Sequence, residues 1–290
     1  MKIQSLSICV PAGCPNNCKF CVAKMHREDY KNNMSKKIHG IEKELFVRDY
    51  KTRMQFARDN GCNTIMFTGN GEPLVNFPFV EDVININNEL TSPFKMIELQ
   101  TAGNFIDEEM AIKLRWLGFT TISLSLSNIF DSNLNAECNG MTEKTKTDID
   151  ELCRILKKHS LNLRLSLNMT DFYNNVPLMD IFNRAKDLGA DQITFRKLYC
   201  SLENSPQKEW VEKHAISEEK LESIKYDISH YGKPLEVLPF GLVKYSLNEI
   251  STVIDDDCMS KSVSESIKYL LLRENCKLYT KWDDKGSLLF

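Results

Sequence analysis

Every other residue of Ile122-Ser123-Leu124-Ser125-Leu126-Ser127 is serine. Side chains of a strand alternate between its two faces, so this segment has one apolar and one polar face. The same division recurs in Leu163-Arg164-Leu165-Ser166-Leu167-Asn168 and in Gln192-Ile193-Thr194-Phe195-Arg196. These segments belong to a longer rhythm. Strand patterns fall near Ile3–Val10, Thr64–Thr68, Met96–Gln100, Thr120–Ser127, Asn162–Asn168 and Gln192–Leu198. Helical patterns lie between them, near Lys36–Asn60, Phe79–Leu90, Asp107–Leu117, Lys144–His159 and Leu178–Leu188, and Gly61, Gly118 and Gly189 stand just past helix ends. Such alternation implies a parallel sheet with crossover helices. A parallel sheet covered on both faces reads as apolar throughout. Here helices can cover only one face, and crossovers of one hand place all helices on one side only when the sheet curls. The alternative is a solvent-facing sheet; the curled sheet with a polar lumen accounts for more of the pattern.

The fold expected is therefore α/β, a partial (β/α)6 TIM-like barrel with a C-terminal α+β extension. Residues 1–205 form the barrel and 206–290 the extension. The extension starts with a polar stretch around Pro206 and a helix near Glu218–His230 capped by Ser217. A Pro- and Gly-bearing loop and the acidic run Asp255-Asp256-Asp257 follow, then a hairpin from Ile267–Arg273 and Lys277–Trp282. It reads as a cap that closes the barrel mouth and recognises substrate, rather than as more barrel. The 290 residues, 42% hydrophobic and 27% charged, exclude a disordered or fibrous chain. No apolar run approaches the ~18 residues of a membrane span, and the start of the chain is too short and polar for a signal peptide. A cytoplasmic location is expected.

Ten cysteines are many for a reducing compartment, and four of them fall within the first 21 residues. Metal or redox chemistry is the better reading than a disulfide framework. Cys14-Pro15-Asn16-Asn17-Cys18-Lys19-Phe20-Cys21 directly follows the first strand. Three thiolates at this spacing suit an iron–sulfur cubane, which takes one thiolate per iron, and leave one iron open. Zinc or a closed electron-transfer cluster with Cys9 as fourth ligand are the competing readings, and Cys9 lies inside the strand. A second motif, Phe67-Thr68-Gly69-Asn70-Gly71-Glu72-Pro73-Leu74, follows the second strand. That is the end at which open sheets and barrels bind ligands.

The two motifs together resemble the radical S-adenosylmethionine (radical SAM) superfamily, whose pattern is C-x3-C-x-aromatic-C followed by a Gly-Gly-Glu-Pro-like loop. This chain has Gly-Asn-Gly-Glu, a one-residue departure. The resemblance covers roughly residues 1–200. It implies a [4Fe-4S] cluster held by Cys14, Cys18 and Cys21, and S-adenosylmethionine chelating the open iron. Gly69, Asn70, Gly71 and Glu72 would form the loop that meets the methionine end. Reductive cleavage would yield a 5′-deoxyadenosyl radical that takes a hydrogen atom from the substrate. Gln100, Ser125, Arg164, Asn168 and Arg196, on the polar strand faces, are candidates for the adenosine, the carboxylate or the substrate. For each, the alternative is a satisfied structural polar residue.

Substrate identity is less legible. A peptide, a nucleotide or another small molecule fits. An RNA-methylating enzyme, with Cys258 as methyl carrier, and an activase of a glycyl-radical enzyme are alternatives, as is a non-enzymatic electron-transfer protein. Nucleic acid is disfavoured by the acidic last third, with 16 Asp and Glu against 12 Lys and Arg in residues 201–290. Residues 1–60 carry 12 Lys and Arg against 6 Asp and Glu. Lys24, His26, Arg27, Lys31, Lys36 and Lys37 follow the cysteines and could meet an acidic electron donor of flavodoxin or ferredoxin type, or an anionic substrate. A solvated loop and helix face is the plainer reading. Cys258 and Cys276 form no C-x-x-C pair, so an auxiliary cluster is not expected.

Overall fold

The computed structural model describes residues 3–25, 43–238, 241–257, 267–282 and 284–290. Six strands lie side by side in chain order, each parallel to the next: β1 (Ile3–Cys9), β2 (Thr64–Thr68), β3 (Met96–Thr101), β4 (Thr121–Leu126), β5 (Asn162–Met169) and β6 (Gln192–Lys197). The crossovers carry α1 (Lys43–Asp59), α2 (Phe77–Asn88), α3 (Glu108–Trp116), α4 (Ser132–Cys138), α5 (Ile149–Lys158) and α6 (Leu178–Asp187). The early part of the helix expected from Lys36 lies outside the described residues.

Local chemistry sets the boundaries. Asp107 caps α3 by accepting the Met110 N–H at 2.8 Å. Asp148 accepts the Glu151 N–H at 3.0 Å, so α5 begins at Ile149 and not at Lys144. The residues before it turn instead, with the Thr142 N–H donating to Thr145 Oγ1 at 2.8 Å. The helix α4 was not expected; its seven residues hold little periodicity, but Asp131 caps it through the N–H groups of Asn133 and Leu134. Gly61, Gly118 and Gly189 take positive φ past their helix ends.

The two faces of the sheet separate as the alternation requires. Ile122, Leu124, Leu163, Leu165, Leu167, Ile193 and Phe195 are buried against the helices. Each such side chain contributes about 1.5–3 kcal/mol on burial. On the other face, Gln100, Ser123, Arg164 and Gln192 stand in one register row, and Asn168 and Arg196 in another nearer the strand ends.

Among the described residues, the remainder of the chain adds two α-helices and five strands. It contains α7 (Pro206–His214), α8 (Glu218–Tyr231), β7 (Lys233–Val237), β8 (Val243–Leu247), β9 (Ile250–Asp255), β10 (Ile267–Leu272) and β11 (Leu278–Tyr279). Ser217 caps α8 as expected, and β10 and β11 form the expected hairpin. These strands join the barrel sheet, however. β9 runs parallel to β6, and β10 runs parallel to β1. The result is an unclosed eleven-stranded sheet in the order β11-β10-β1-β2-β3-β4-β5-β6-β9-β8-β7. Leu270 and Leu272 enter the main core, and the Tyr50 hydroxyl of α1 donates to the Arg273 carbonyl at 3.0 Å.

No strand pairing joins β9 to β10, but an ion pair does. Lys268 Nζ donates to Asp255 Oδ1 at 2.7 Å and to the Asp257 carbonyl at 3.0 Å. The two side chains are only 17% and 12% exposed. Removing one partner of a buried pair costs about 3–5 kcal/mol, and the residual exposure lowers that toward about 2. Asp255→Ala should therefore shift the urea midpoint down by that order. Asp255→Leu combined with Lys268→Met should recover most of it. An unchanged midpoint in the single variant would mean that the seam is held elsewhere.

Candidate functional site

The loop that leaves β1 is fixed from two sides. On one side is the loop after β2. The Val10 N–H donates to the Thr68 carbonyl at 2.7 Å, and the Glu72 N–H donates to the Gly13 carbonyl at 3.0 Å. Asn76 Nδ2 donates to the Pro11 carbonyl at 2.9 Å. The backbones touch at Gly71, where a Cβ would collide with the carbonyls of Ala12 and Gly13. At Gly69, φ is 151° and a Cβ would stand 2.8 Å from the Val10 carbonyl oxygen. On the other side is the end of α4. The Asn17 N–H donates to the Gly140 carbonyl at 3.0 Å and the Lys19 N–H to the Cys138 carbonyl at 3.1 Å. Gly140 has φ 56°, and its Cα abuts the Asn17 backbone too closely for any side chain. Asn16 Nδ2 donates to Asn104 Oδ1 at 2.8 Å from the β3 end.

This frame holds Cys14, Cys18 and Cys21. Cys14 is exposed and the other two are half-buried, and every described cysteine is a free thiol. The surrounding loop still desolvates the Cys14 sulfur in part, which raises its thiol above its ordinary range. Burial also pushes Cys18 up to about 12, with Cys21 and Cys14 adding to the shift by charge repulsion. The three thiols thus share one space. Metal binding there expels protons. No three His, Cys, Asp or Glu side chains among the described residues converge as ligands of a single ion would. A cubane takes one thiolate per iron, and three soft thiol donors on one loop, two of which weigh on the charge of the third, suit that group. Phe20 is buried beneath the loop, with its ring 6.0 Å from that of Trp210 on α7. Cys18, Val22, Met25, Leu198 and Val211 pack around them, which shields the thiols on that side.

Glu72 is buried and turned away from the lumen. Its carboxylate accepts from Thr101 Oγ1 at 2.7 Å, from the Ala102 N–H at 3.0 Å and from the Leu74 N–H at 3.5 Å. Burial raises its pKa, and the three hydrogen bonds oppose the rise. It ties the loops after β1, β2 and β3 together.

A cavity of about 380 Å³ opens inside the sheet, within the range of small-molecule sites. Gly69, Asn70, Gln100, Arg164 and Arg196 line it. Ser125, Asn168, Gly71 and Glu72 do not line it. Asn168 Nδ2 donates to Ser125 Oγ at 3.1 Å and reaches Ser127 Oγ at 3.4 Å. Ser127 Oγ donates to Asn139 Oδ1 at 2.8 Å, next to Gly140. Ser125 and Asn168 therefore help to set the end of α4 on which the cysteine loop rests. Arg164 Nη1 donates to both Glu98 oxygens at 2.7 and 2.6 Å, and its Nε donates to Gln192 Oε1 at 2.8 Å. Sequence reasoning missed Glu98, although Met96, Glu98 and Gln100 alternate in the same way as the later strands. It also missed Gly140, which no local signal ties to the distant cysteines, and Asp255, hidden in its acidic run.

The family model for the radical SAM superfamily matches residues 8–180. The chain belongs to the radical SAM superfamily. Members of that superfamily are enzymes of S-adenosylmethionine and iron–sulfur chemistry. It is 26% identical over 176 residues to a probable GTP 3′,8-cyclase of Methanococcus aeolicus, covering 60% of this chain and 54% of that protein. An uncharacterized protein of Methanocaldococcus jannaschii is 22% identical over 176 residues, 61% of this chain and 40% of its own. The chain thus spans about half the length of the curated relatives it matches. Among solved structures, anSMEcpe with bound AdoMet aligns at a TM-score of 0.62 and 15% identity, over 97% of this chain and 71% of that one. SuiB of Streptococcus suis bound to S-adenosylmethionine aligns at 0.60 and 16%, over 96% and 60%. The likeness extends over the partial barrel and the joined tail alike. No helix of this radical SAM chain, among the described residues, is long and apolar enough to cross a membrane.

Gly71→Ala should displace the cysteine loop while leaving all three thiols in the chain. Iron bound after anaerobic reconstitution should fall by at least half, with the thiol count unchanged. Full iron content in this variant would contradict the close-approach argument.

Proposed function

We propose that the chain cleaves S-adenosylmethionine reductively and directs hydrogen-atom abstraction at a peptide, nucleotide or other small-molecule substrate held in the lumen. The observation that carries this is the joining of the two loops: Gly71 and Glu72 rest on Ala12 and Gly13 of the cysteine loop, while Gly69 and Asn70 border the cavity. A [4Fe-4S] cluster on Cys14, Cys18 and Cys21 would supply the electron and one open iron for the amino and carboxylate groups of S-adenosylmethionine. The backbone of Gly69–Gly71 receives the ammonium group, and Gln100 and Arg164 stand where the rest of the molecule would lie. Glu72, Ser125 and Asn168 act behind them as positioning residues.

The tail serves both as wall and as cover. Leu238, Leu242 and Lys244 from around the β7–β8 connection and Tyr269 and Trp282 from the other edge all border the cavity. They would exclude water from a radical and select the substrate, which is the role proposed for residues 206–290. The relatives support a range of substrates: one is a probable GTP 3′,8-cyclase, and SuiB was solved bound to a precursor peptide. An acidic flavodoxin- or ferredoxin-type donor would approach on the side of exposed Cys14 and of Lys24. His26, Arg27, Lys31, Lys36 and Lys37, named for the same role, lie outside the described residues, as does Cys258.

Anaerobically reconstituted protein should bind about four irons, and on reduction should release 5′-deoxyadenosine and methionine from S-adenosylmethionine. Cys18→Ala should lose both properties. S-adenosylhomocysteine as the sole product would overturn the proposal in favour of polar methyl transfer.

A further inference from the structure

The charges that border the cavity are not evenly paired. Among the described residues its cationic lining consists of Arg164, Arg196, Lys244 and Lys268. Arg164 holds both oxygens of Glu98, Lys268 holds Asp255, and Lys244 faces Glu236 at 3.4 Å. Arg196 differs. It lies between Asn168 and Asp255 in register, near the C-terminal end of β6. Asp255, the carboxylate beside it, accepts a hydrogen bond from Lys268 Nζ at Oδ1 instead. The buried Nε of Arg196 has no hydrogen-bond partner, and Arg196 forms no ion pair among the described residues. On the adjacent strand, Ser166 Oγ is likewise buried without a partner, two residues before Asn168 on the same face. A guanidinium in a partly enclosed seat calls for an anion, and its planar fork matches carboxylate or phosphate oxygens.

We propose that Arg196 is the seat for an oxyanion of the substrate, so that this chain acts on a molecule bearing a carboxylate or a phosphate. The inference rests on the reading of the lumen as the reaction chamber. Topology separates the seat from the methionine end of S-adenosylmethionine. Gly69 and Asn70 follow β2, and β6 lies four strands further along the curled sheet. Arg196 thus faces the chamber from another wall, where a substrate oxyanion would fix the molecule and leave its C–H bonds toward the centre. Placement of this kind, rather than overall affinity, decides which hydrogen a radical reaches.

The test is calorimetric titration of reconstituted full-length protein with inorganic phosphate and, separately, succinate, with and without saturating S-adenosylmethionine. At least one of the two should bind in the presence of S-adenosylmethionine. The stronger of them tells phosphate from carboxylate. Arg196→Gln should weaken it about tenfold to a hundredfold, the loss of a charge-assisted hydrogen bond. Arg196→Lys should retain part of the affinity. Lys197→Gln, whose side chain pairs with Glu218, should bind as the unaltered protein does. S-adenosylmethionine affinity should be unchanged in Arg196→Gln. Melting temperatures identify a variant that fails to fold, and Arg196→Lys then carries the comparison. The proposal is overturned if neither oxyanion binds, if Arg196→Gln binds as well as the unaltered protein, or if the oxyanion competes with S-adenosylmethionine and Arg196→Gln loses both. No turnover is needed, so failure here is distinct from failure to form 5′-deoxyadenosine, which bears on the reaction itself.

Discussion

The contact between Gly71 and the carbonyls of Ala12 and Gly13 is the constraint around which the site is built. Two loops from neighbouring parallel strands approach so closely that no side chain fits between them. The Glu72 N–H bonds to one of them, and the Glu72 carboxylate holds the loop after β3. The cysteine loop, the glycine loop and the β3 end are thus tied to one another. On the far side, Gly140 performs the same task against Asn17. A cluster ligated by three residues of one loop needs such support, because the loop has few backbone hydrogen bonds within itself.

The sheet explains why the loops meet at all. Its apolar face is covered by helices and its polar face turns inward, so the strand ends gather around one cavity. The tail completes this arrangement by adding β9 beside β6 and β10 beside β1. The Lys268–Asp255 pair then joins the two additions where backbone pairing stops. Both side chains of that seam also border the cavity.

Much of this was legible in the sequence because it is local. Period-two alternation at Ile122–Ser127 and Leu163–Asn168 states which face is polar whatever the partner strands are. The cysteine spacing and the Gly69–Pro73 loop likewise need no tertiary knowledge. Strand partnership is different. Ile250–Asp255 alternates well enough, but nothing near it says that it pairs with β6. Ile267–Arg273 reads as half of a hairpin, which β10 is, yet the parallel pairing of β10 with β1 depends on residues more than two hundred positions away. Arg196 and Ser125 looked equivalent as polar residues on strand faces. They differ because Ser125 meets Asn168 in a network beneath α4, whereas Arg196 meets the cavity.

The central claim is that three thiolates hold a four-iron cluster whose remaining iron is open to S-adenosylmethionine. Mössbauer spectroscopy of protein reconstituted with iron-57 reads this directly. On addition of S-adenosylmethionine, one iron of about four should change its isomer shift and quadrupole splitting while the others stay as they were. A spectrum of equivalent, fully thiolate-ligated irons that S-adenosylmethionine leaves untouched would contradict the account.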